Sequence, residues 1–347
     1  MHMADALVSP AVGGVFWAAS AGMIYYSSKK APPDINENKI PLMGVIGAFV
    51  FAAQMVNFTI PGTGSSGHLG GALLLSILLG PYAAFITISS VLIVQALFFA
   101  DGGILSLGCN MFNIGLLPCF IAYPLIYKNI SQNSLSQRRV FLGTMLAAVI
   151  GSQLGALGVI LQTLLSNVSE LTFTAFSLLL LPIQLCIGIG EGIITIAVIQ
   201  FVMKVRPELV SKNCNSFSEK AFSLRKISAV FLAATIIVGG LISWYASSNP
   251  DGLEWSIFKT AGTEEISGID SKIHSTFSKI QEKIAFLPDY NFKSEHAVSG
   301  QDEPSAEALK AGTSLSGLIG GALTLIFTIM ISIFLKQKKS DKNIGSY

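Results

Sequence analysis

The sequence predicts an all-α integral membrane protein, and three observations support that prediction. Hydrophobic residues make up 51% of the 347 residues, and charged residues only 12%. The mean hydropathy is +0.62. A soluble domain carries about a quarter charged residues, so this chain has too little charge to cover a soluble surface. Apolar runs of roughly 20 residues recur along the chain, and each matches a bilayer core of about 30 Å.

The apolar runs define eight predicted membrane-spanning helices and one shorter segment. The eight lie at about 8-28, 40-58, 82-100, 104-127, 140-165, 175-203, 227-246 and 314-335. The shorter run, 68-79, follows a glycine-rich loop and ends at Gly80-Pro81, which predicts a half-length helix that starts inside the protein. Counted as a crossing, this segment brings the predicted total to nine.

The positions of lysine and arginine orient these helices. If the N-terminus is outside, every lysine and arginine that is not in the segment 247-313 falls in a loop or tail on the cytoplasmic side. Basic residues accumulate on that side of membrane proteins. The segment 247-313 is long enough to be translocated whatever its charge. We therefore expect a multi-pass protein of the cell (inner) membrane, with an extracytoplasmic N-terminus and a cytoplasmic C-terminus. This sorting holds only if 68-79 crosses.

Charge and cysteine content exclude two classes of partner or site. The net charge of +2 is close to neutral, and no basic block is interleaved with aromatic residues, so no nucleic-acid partner is expected. Cys109, Cys119 and Cys186 lie in apolar runs, and Cys214 lies in a basic loop. No Cys-x-x-Cys spacing occurs, so neither a disulfide framework nor a thiolate metal site is predicted.

The first two residues have the chemistry of a metal chelate. A cleavable signal peptide is disfavoured because Met1 to Ser9 contains Asp5 and no basic residue, and the large His2 favours retention of Met1. A chain that begins Met-His offers a metal its amine, the deprotonated His2 amide and the His2 imidazole, which close two fused rings. Ni(II) and Cu(II) prefer such square-planar nitrogen coordination, whereas Mg(II) and Ca(II) prefer oxygen.

His68 is the candidate for a fourth nitrogen ligand. It ends the glycine-rich loop that starts at Pro61, on the same outward side as the N-terminus. The other two histidines, His274 and His296, lie in the polar segment 247-313, where solvated surface histidines are expected. Gly62 and Gly67 have the spacing of a phosphate-binding loop, but His68-Leu69 stands where Lys-Ser or Lys-Thr is required. The chain therefore predicts no ATPase site of its own and no catalytic residues.

Polar residues within or beside the predicted spans are candidates for orienting the ligands. They are Asn57, Ser66, Gln95, Asn110, Asn113 and Glu191. Ordinary hydrogen bonds between helices explain the amides equally well. Glu191 is the one acid deep in a span, and it fits a metal way-station, a partner-docking group or a structural carboxyl. Asp101 begins an Asp-Gly-Gly turn, and turn geometry is sufficient to explain it.

Several ordered motifs resemble one family. They are Met1-His2, Asp5 and Ser9-Pro10; Pro61-Gly62-Thr63 through Gly67-His68-Leu69 and Gly70-Gly71-Ala72; Leu79-Gly80-Pro81; Gln95-Ala96-Leu97; Asp101-Gly102-Gly103; Leu107-Gly108; Asn110 to Asn113; and Ile189-Gly190-Glu191-Gly192. Residues 1 to about 205 thus resemble the CbiM/NikM family, the substrate-binding membrane components of energy-coupling-factor nickel and cobalt transporters. Pro250-Asp251-Gly252-Leu253-Glu254 and the last span resemble the accessory subunit CbiN/NikN, fused to the same chain.

The resemblance implies a seven-helix substrate-binding bundle at 1-205 with its N-terminus outside. It also implies a cytoplasmic linker at 206-226 and an accessory region at 227-347, with two further transmembrane helices flanking 247-313. The implied ligands are the Met1 amine, the His2 amide and imidazole, and the His68 imidazole. They would hold transported Ni(II) or Co(II), with no cofactor of the protein's own. Ala4 and Ala6 stand where the family pattern leads us to expect Pro and Gly.

The implied partners are a transmembrane coupling subunit, cytoplasmic ATPase subunits and membrane lipid. Two alternatives stay open from the residues alone: a membrane component for a small organic, vitamin-like substrate, and a cation channel. An intramembrane metallohydrolase would need a His-Glu-x-x-His motif, which the sequence lacks. Within 247-313, the spacing of Ile269, Ile273, Phe277, Ile280 and Ile284 predicts an amphipathic helix near 269-287.

Overall fold

A computed structural model describes residues 1–31, 39–131, 136–167, 171–210, 223–262, 272–293 and 306–344. The helices are α1 (Pro10–Lys30), α2 (Lys39–Gln54), α3 (Ala72–Leu79), α4 (Pro81–Phe98), α5 (Leu107–Ser131), α6 (Gln137–Ser166), α7 (Phe173–Val205), α8 (Leu224–Gly240), α9 (Gly252–Ala261), α10 (Lys272–Ile284) and α11 (Ala306–Ile344). Two strands, β1 (Phe58–Ile60) and β2 (Ser65–Gly67), lie between α2 and α3.

A helix forms in each apolar run. Within the described residues, five helices are long and apolar enough to cross a membrane: α4, α5, α6, α7 and the stretch Lys310–Phe334 of α11. Ile40–Gln54 in α2 forms a shorter apolar helix. The amphipathic helix predicted near 269-287 is confirmed as α10, and residues 269 to 271 lie outside the described part of the chain.

The all-α prediction missed one element, a β-hairpin in the glycine-rich segment. Strands β1 and β2 pair antiparallel, with Phe58 opposite Gly67 and Ile60 opposite Ser65. The turn between them contains Gly62 at φ +79° and Gly64 at φ +76°, conformations that residues with a Cβ rarely adopt. A three-residue strand has too few positions to show an alternating pattern, which is why the segment looks like a loop in the sequence.

Helix α3 is the predicted half-length helix. Its eight residues are about 12 Å long at 1.5 Å per residue, well short of a bilayer core. Gly71 at φ +80° precedes it and Gly80 at φ +84° ends it, and Pro81 then starts α4. Residues 72–78 are all buried, so α3 lies inside the helix bundle.

Helix α5 departs from regular α-helical geometry. Its middle consists of wider π-type turns at Met111–Leu116 and Pro118–Lys128. Pro118 and Pro124 lack the backbone N–H that a regular helix needs, and the π-type turns place the irregularity where the prolines are. This irregular helix carries Asn110 and Asn113 into the centre of the bundle, where both are buried.

The two long helices of the C-terminal third pack against α2. At their crossing a Cβ on Gly317 of α11 would lie 2.7 Å from Gly239 Cα of α8, so the backbones touch. Gly44 of α2 has the same relation to α11, since a Cβ there would lie 3.0 Å from Ile329. Small residues permit this close approach between apolar helices. The chain that links α8 to α11 contains α9 and α10.

Candidate metal centre

The N-terminal segment enters the bundle and is buried there. The Met1 side chain is 9% exposed and packs in an apolar cluster with Val159 and Phe176. Gln184 of α7 donates from Nε2 to Met1 Sδ. Met3 is 0% exposed and lies in the same cluster. These contacts fix the position of the chain's first amine.

Backbone hydrogen bonds hold the next residues in register. Met3 N donates to Asn110 Oδ1 at 2.8 Å, and Met3 O accepts from Gly103 N at 3.0 Å. Ser106 N donates to Asp5 Oδ1 at 2.9 Å. A Cβ on Gly103 would overlap Asp5, so only glycine allows this approach. The Asp101-Gly102-Gly103 turn thus packs directly against the backbone of the N-terminal segment.

His68 points its Nε2 at the amine of Met1. The two nitrogens are in direct contact. His68 Nδ1 lies 3.1 Å from the carbonyl oxygen of Leu69, which suits an Nδ1–H donor. That tautomer leaves the lone pair of Nε2 facing the amine, and a carbonyl on the far ring nitrogen is a common way to orient a metal-binding histidine.

The His2 ring stacks on the His68 ring. Their centroids are 5.1 Å apart and the planes differ by 8°. His2 Nδ1 lies 2.9 Å from Asp101 Oδ1. His2 Nε2 is buried and has no hydrogen-bond partner among the described residues. The three predicted ligand residues, Met1, His2 and His68, are therefore adjacent in the structure.

Two acidic residues that the sequence did not assign to the site contact these groups. Asp251 Oδ2 lies 3.3 Å from the Met1 amine. Asp251 also caps α9 by accepting from Leu253 N and Glu254 N, and Glu254 completes the capping box. Burial raises the pKa of the Asp251 carboxyl, but the adjacent amine and the Glu254 backbone N–H outweigh it and hold that pKa below its usual value.

Asp101 has more than the turn role predicted from the sequence, because it lies between His2 and Tyr290. The Tyr290 hydroxyl donates to Asp101 Oδ2. Burial of Asp101 opposes ionisation, yet the charge and hydrogen bond of His2 and the hydroxyl of Tyr290 lower the pKa of this carboxyl. Burial and the neighbouring Asp101 raise the pKa of Tyr290 well above its usual value, so its hydroxyl stays a donor.

Three polar side chains from the helices hold the backbone beyond His68. Gln54 Nε2 donates to Gly70 O at 2.8 Å, and Gln95 Nε2 donates to Gln54 Oε1 at 2.9 Å. Gly71 N donates to Glu191 Oε1 at 3.1 Å. Both Gln95 and Glu191 were predicted as ligand-orienting residues. Glu191 binds the glycine segment next to His68 directly and Gln95 supports it through Gln54, so their hydrogen bonds serve that segment rather than an imidazole.

The other predicted residues divide between the site and its surroundings. Asn110 binds the backbone of Met3, while Asn113 and Gln162 exchange amide hydrogen bonds of 2.7 and 3.1 Å. Ser66 Oγ donates to Asn249 O at 2.8 Å and Ser66 N donates to Pro250 O at 2.8 Å, so Ser66 joins β2 to the C-terminal region. Asn57 accepts from Ser247 N through its backbone oxygen and contacts none of the three ligand residues.

A cavity of about 50 Å³ adjoins two of the three ligand residues, Met1 and His68. Met1, His68 and Asp251 line one part of it, and Gln184 and Glu191 of α7 also face it. A volume of this size holds one to a few waters or an ion with part of its hydration shell.

The remaining histidines and cysteines lie outside this cluster where the structure describes them. His274 is half-buried rather than solvated as predicted, because its Nε2 lies 2.9 Å from Val8 O. His296 and Cys214 fall outside the described residues. Cys109, Cys119 and Cys186 have free thiols. Within the described part of the chain no three His, Cys, Asp or Glu side chains group as a metal site, and the predicted set draws half its nitrogens from backbone groups.

Comparison with known proteins assigns the chain to a family. Residues 2–209 match the family model CbiM, described as the cobalt uptake substrate-specific transmembrane region. The chain belongs to the CbiM family. Residues 225–337 match a second model, the PDGLE domain. The resemblance drawn from the sequence motifs is thereby confirmed, including the fusion of an accessory region to the CbiM region.

Individual CbiM relatives and one solved structure agree with this assignment. The cobalt transport protein CbiM of Clostridium tetani is 31% identical over 59% of this chain and 85% of that protein. The fused nickel transport protein NikMN of Rhodobacter capsulatus is 30% identical over 72% of this chain and 63% of that protein. A crystal structure of a transition metal transporter matches with a TM-score of 0.52 and 30% identity, over 59% of this chain and 93% of that chain.

Proposed function

We propose that this multi-pass membrane protein is the capture subunit of an ATP-driven energy-coupling-factor importer of Ni(II) or Co(II). Met1, His2 and His68 bind the ion. One observation carries the proposal: the N-terminal amine, the His2 ring and the His68 ring meet in one buried cluster, with the amine against His68 Nε2.

The proposed donor set favours one class of ion. The Met1 amine, the His2 amide nitrogen and His2 Nδ1 close a five-membered and a six-membered chelate ring in one plane, and His68 Nε2 supplies the fourth corner. Four nitrogens in a plane suit late first-row divalent metals and disfavour Mg(II) and Ca(II). The 31% identical cobalt transport protein and the 30% identical nickel transport protein favour cobalt or nickel as cargo.

The cavity beside the ligands supports an ion rather than an organic cargo. Pockets for small organic molecules occupy roughly 300–1,000 Å³. The cavity next to Met1 and His68 is about 50 Å³, too small for a vitamin-like molecule. The sequence carries no phosphate-binding motif, so energy comes from cytoplasmic ATPase subunits through a transmembrane coupling subunit.

The membrane topology is part of the same proposal. Residues 1-205 form the seven-helix capture domain of an inner-membrane protein, α3 included, with the N-terminus on the extracytoplasmic side. Residues 206-226 form a cytoplasmic linker. Residues 227-347 supply two further transmembrane helices and place α9 and α10 outside, over the capture site, with the C-terminus in the cytoplasm.

The test compares two versions of the detergent-purified protein that differ only at the N-terminus. The first has the native N-terminus, and the second has three glycines added before Met1. The added residues move the amine away from the His2 amide and remove the fused rings. A single glycine would not serve, because a terminal Gly-Met-His would itself offer Ni(II) four planar nitrogens. We expect about one nickel per chain, with a square-planar absorption band in the visible range, for the native version only.

A matched control carries the same three glycines after Tyr347 instead. It has the same composition as the extended version and should bind nickel like the native protein. Equal nickel in all three versions, or none in any, would remove the amine from the mechanism and contradict the proposed site.

A further inference from the structure

Each of the two N-terminal ligand residues is already engaged by an acidic side chain. The amine pairs with Asp251 at 3.3 Å, and His2 Nδ1 pairs with Asp101 at 2.9 Å. A metal needs those same two atoms. The amine must offer its lone pair rather than a proton to Asp251. His2 must use Nδ1 because Nε2 lies too far along the ring to close a chelate with its own amide. Metal capture therefore breaks the contact of His2 with Asp101 and removes the ammonium charge that pairs with Asp251, leaving at most a hydrogen bond from the metal-bound amine.

The partnerless atom on His2 points to the same rearrangement. His2 Nε2 is buried and unpaired among the described residues. A buried polar atom without a hydrogen-bond partner costs free energy. The His2 ring orientation that contacts Asp101 carries this cost, which favours rotation of the ring. Rotation about the Cβ–Cγ bond would take Nδ1 away from Asp101.

Both contacts lead to the accessory region of the same chain. Asp251 belongs to it and caps α9. Tyr290 donates to the second oxygen of Asp101, opposite the one that faces His2. The ring of Tyr290 stacks on Phe99, with centroids 5.2 Å apart. One ligand residue is thus held by the accessory region directly, and the other through a single intervening carboxylate.

The segment around Tyr290 is joined to the capture domain by backbone hydrogen bonds and by the packing of Phe286 on Phe98 and Phe99. Asp289 N donates to Phe99 O at 2.8 Å and Leu287 N donates to Phe98 O at 3.4 Å. Upstream, Gln281 Nε2 donates to Gly102 O at 2.7 Å. Because these contacts lie next to Asp101, loss of the Tyr290 hydrogen bond is expected to loosen them.

We propose that Tyr290 and Asp251 are positioning residues through which the accessory region senses metal occupancy. This inference rests on the proposed function. When the ion takes the amine and His2 Nδ1, Asp101 loses His2 and Asp251 loses the ammonium charge, so the hold of the segments at 286–291 and 250–255 on the site weakens. Linkage makes the effect reciprocal, so the hold of these segments on the N-terminus also sets how readily the ion enters.

The experiment is hydrogen–deuterium exchange on the full-length protein with its native N-terminus, with and without saturating Ni(II). We expect nickel to raise exchange at the Leu287 and Asp289 amides roughly tenfold, the effect of losing about one charge-assisted hydrogen bond. Tyr290→Phe keeps the ring against Phe99 and removes only the hydroxyl. In this variant exchange is already raised without nickel, and nickel adds little.

Tyr245→Phe is the matched control, since Tyr245 is 85% exposed and belongs to the same region. It should respond to nickel like the unmodified protein. Asp251→Asn should remove the nickel response at 250–255 while leaving that at Leu287 and Asp289. Nickel bound at one per chain with unchanged exchange would overturn this inference alone. No bound nickel in the unmodified protein would overturn the proposed function, and this inference with it.

Discussion

The two segments that carry the proposed ligands are held by different parts of the molecule. The His68 loop is fixed from the capture domain, where Gln54 of α2 and Glu191 of α7 bind the backbone of Gly70 and Gly71. The amine and the His2 ring are held by Asp251 and, through Asp101, by Tyr290 of the accessory region. His68 is anchored to the helices, whereas the amine and the His2 ring, beside the burial of Met1 and Met3 in the bundle, also make contacts that a metal must replace or weaken.

That difference indicates how such a site can both hold an ion and give it up. A planar site needs its ligands placed within a few tenths of an ångström, which favours rigid support. Transport needs ligands that can leave. Anchoring His68 firmly and the N-terminus reversibly meets both requirements, since moving the N-terminal segment removes three of the four nitrogens at once.

The largest expected effect comes from removing the anchored ligand. His68→Ala deletes the fourth nitrogen and leaves the N-terminal chelate without its partner. Changes to groups that only orient a ligand already cost about 10–100-fold in affinity, so the loss here should exceed about 100-fold. Nickel titration of the purified protein measures it.

His296→Ala is the control for this titration, because it removes a histidine that the sequence places in the polar segment 247-313. It should bind nickel like the unmodified protein. If His68→Ala retained tight binding, the anchored half of the site would be assigned to the wrong residue.

A second prediction tests how rigidly the His68 loop is held. Gly71→Ala and Gly62→Ala place a Cβ at similar positive φ angles, +80° and +79°. Both therefore carry about 1–2 kcal/mol of backbone strain. At Gly71 the Cβ would also overlap Val50, whereas at Gly62 nothing lies within 4 Å.

The overlap at Gly71 should add about 1–3 kcal/mol and displace His68, weakening nickel binding roughly tenfold or more relative to Gly62→Ala. The two variants are compared by nickel titration and by thermal unfolding in the same detergent. Equal nickel affinity in both would mean that the loop adapts, and the contrast between an anchored and an adjustable ligand would fail.

The third prediction concerns the carboxylate that supports this loop. Glu191→Ala leaves the buried Gly71 N–H without an acceptor, which costs about 1–3 kcal/mol. We expect nickel affinity to fall about tenfold through displacement of His68. Glu191→Gln keeps an oxygen that can accept the same bond and should bind nickel almost normally.

The pair of variants separates two roles for Glu191. If Glu191→Gln bound nickel normally but failed to import it into cells, the negative charge would serve transport, and the way-station hypothesis would gain support. Full import by Glu191→Gln would assign the side chain to holding the loop alone.

The sequence predicted the parts of the molecule that local chemistry specifies. Hydropathy located the helices that form in the apolar runs, because lipid requires about 20 apolar residues in each crossing, and it did not predict α9. Met1, His2 and His68 were found because a free amine followed by histidine has few other chemical uses. Glu191 was noticed because an acid within an apolar span is rare.

Two kinds of site residue were missed in the sequence. Some have a local structural role that seemed to explain them fully, and others have no sequence feature that draws attention to them. Asp101 was explained by its turn, and the capping box of α9 gives Asp251 a local role of its own. Tyr290 has no distinguishing neighbours. Their contacts with residues 1 and 2 arise from how the accessory region packs over the bundle, and no local pattern encodes a pairing across roughly 250 residues.

The smallest expected effect tests the contact between the capture domain and the accessory region at Ser66. Ser66 Oγ and Ser66 N bind the backbone of Asn249 and Pro250, each at 2.8 Å. Ser66→Ala removes the first bond and keeps the second. Loss of one neutral hydrogen bond costs about 1 kcal/mol, so proteolysis within 247–251 should accelerate about fivefold while nickel affinity changes little. Ser65→Ala is the matched control because Ser65 Oγ bonds Thr63 inside the hairpin. Equally faster proteolysis in both variants would show that the hairpin as a whole had loosened. The hydrogen bonds of Ser66 would then not be what holds the accessory region in place.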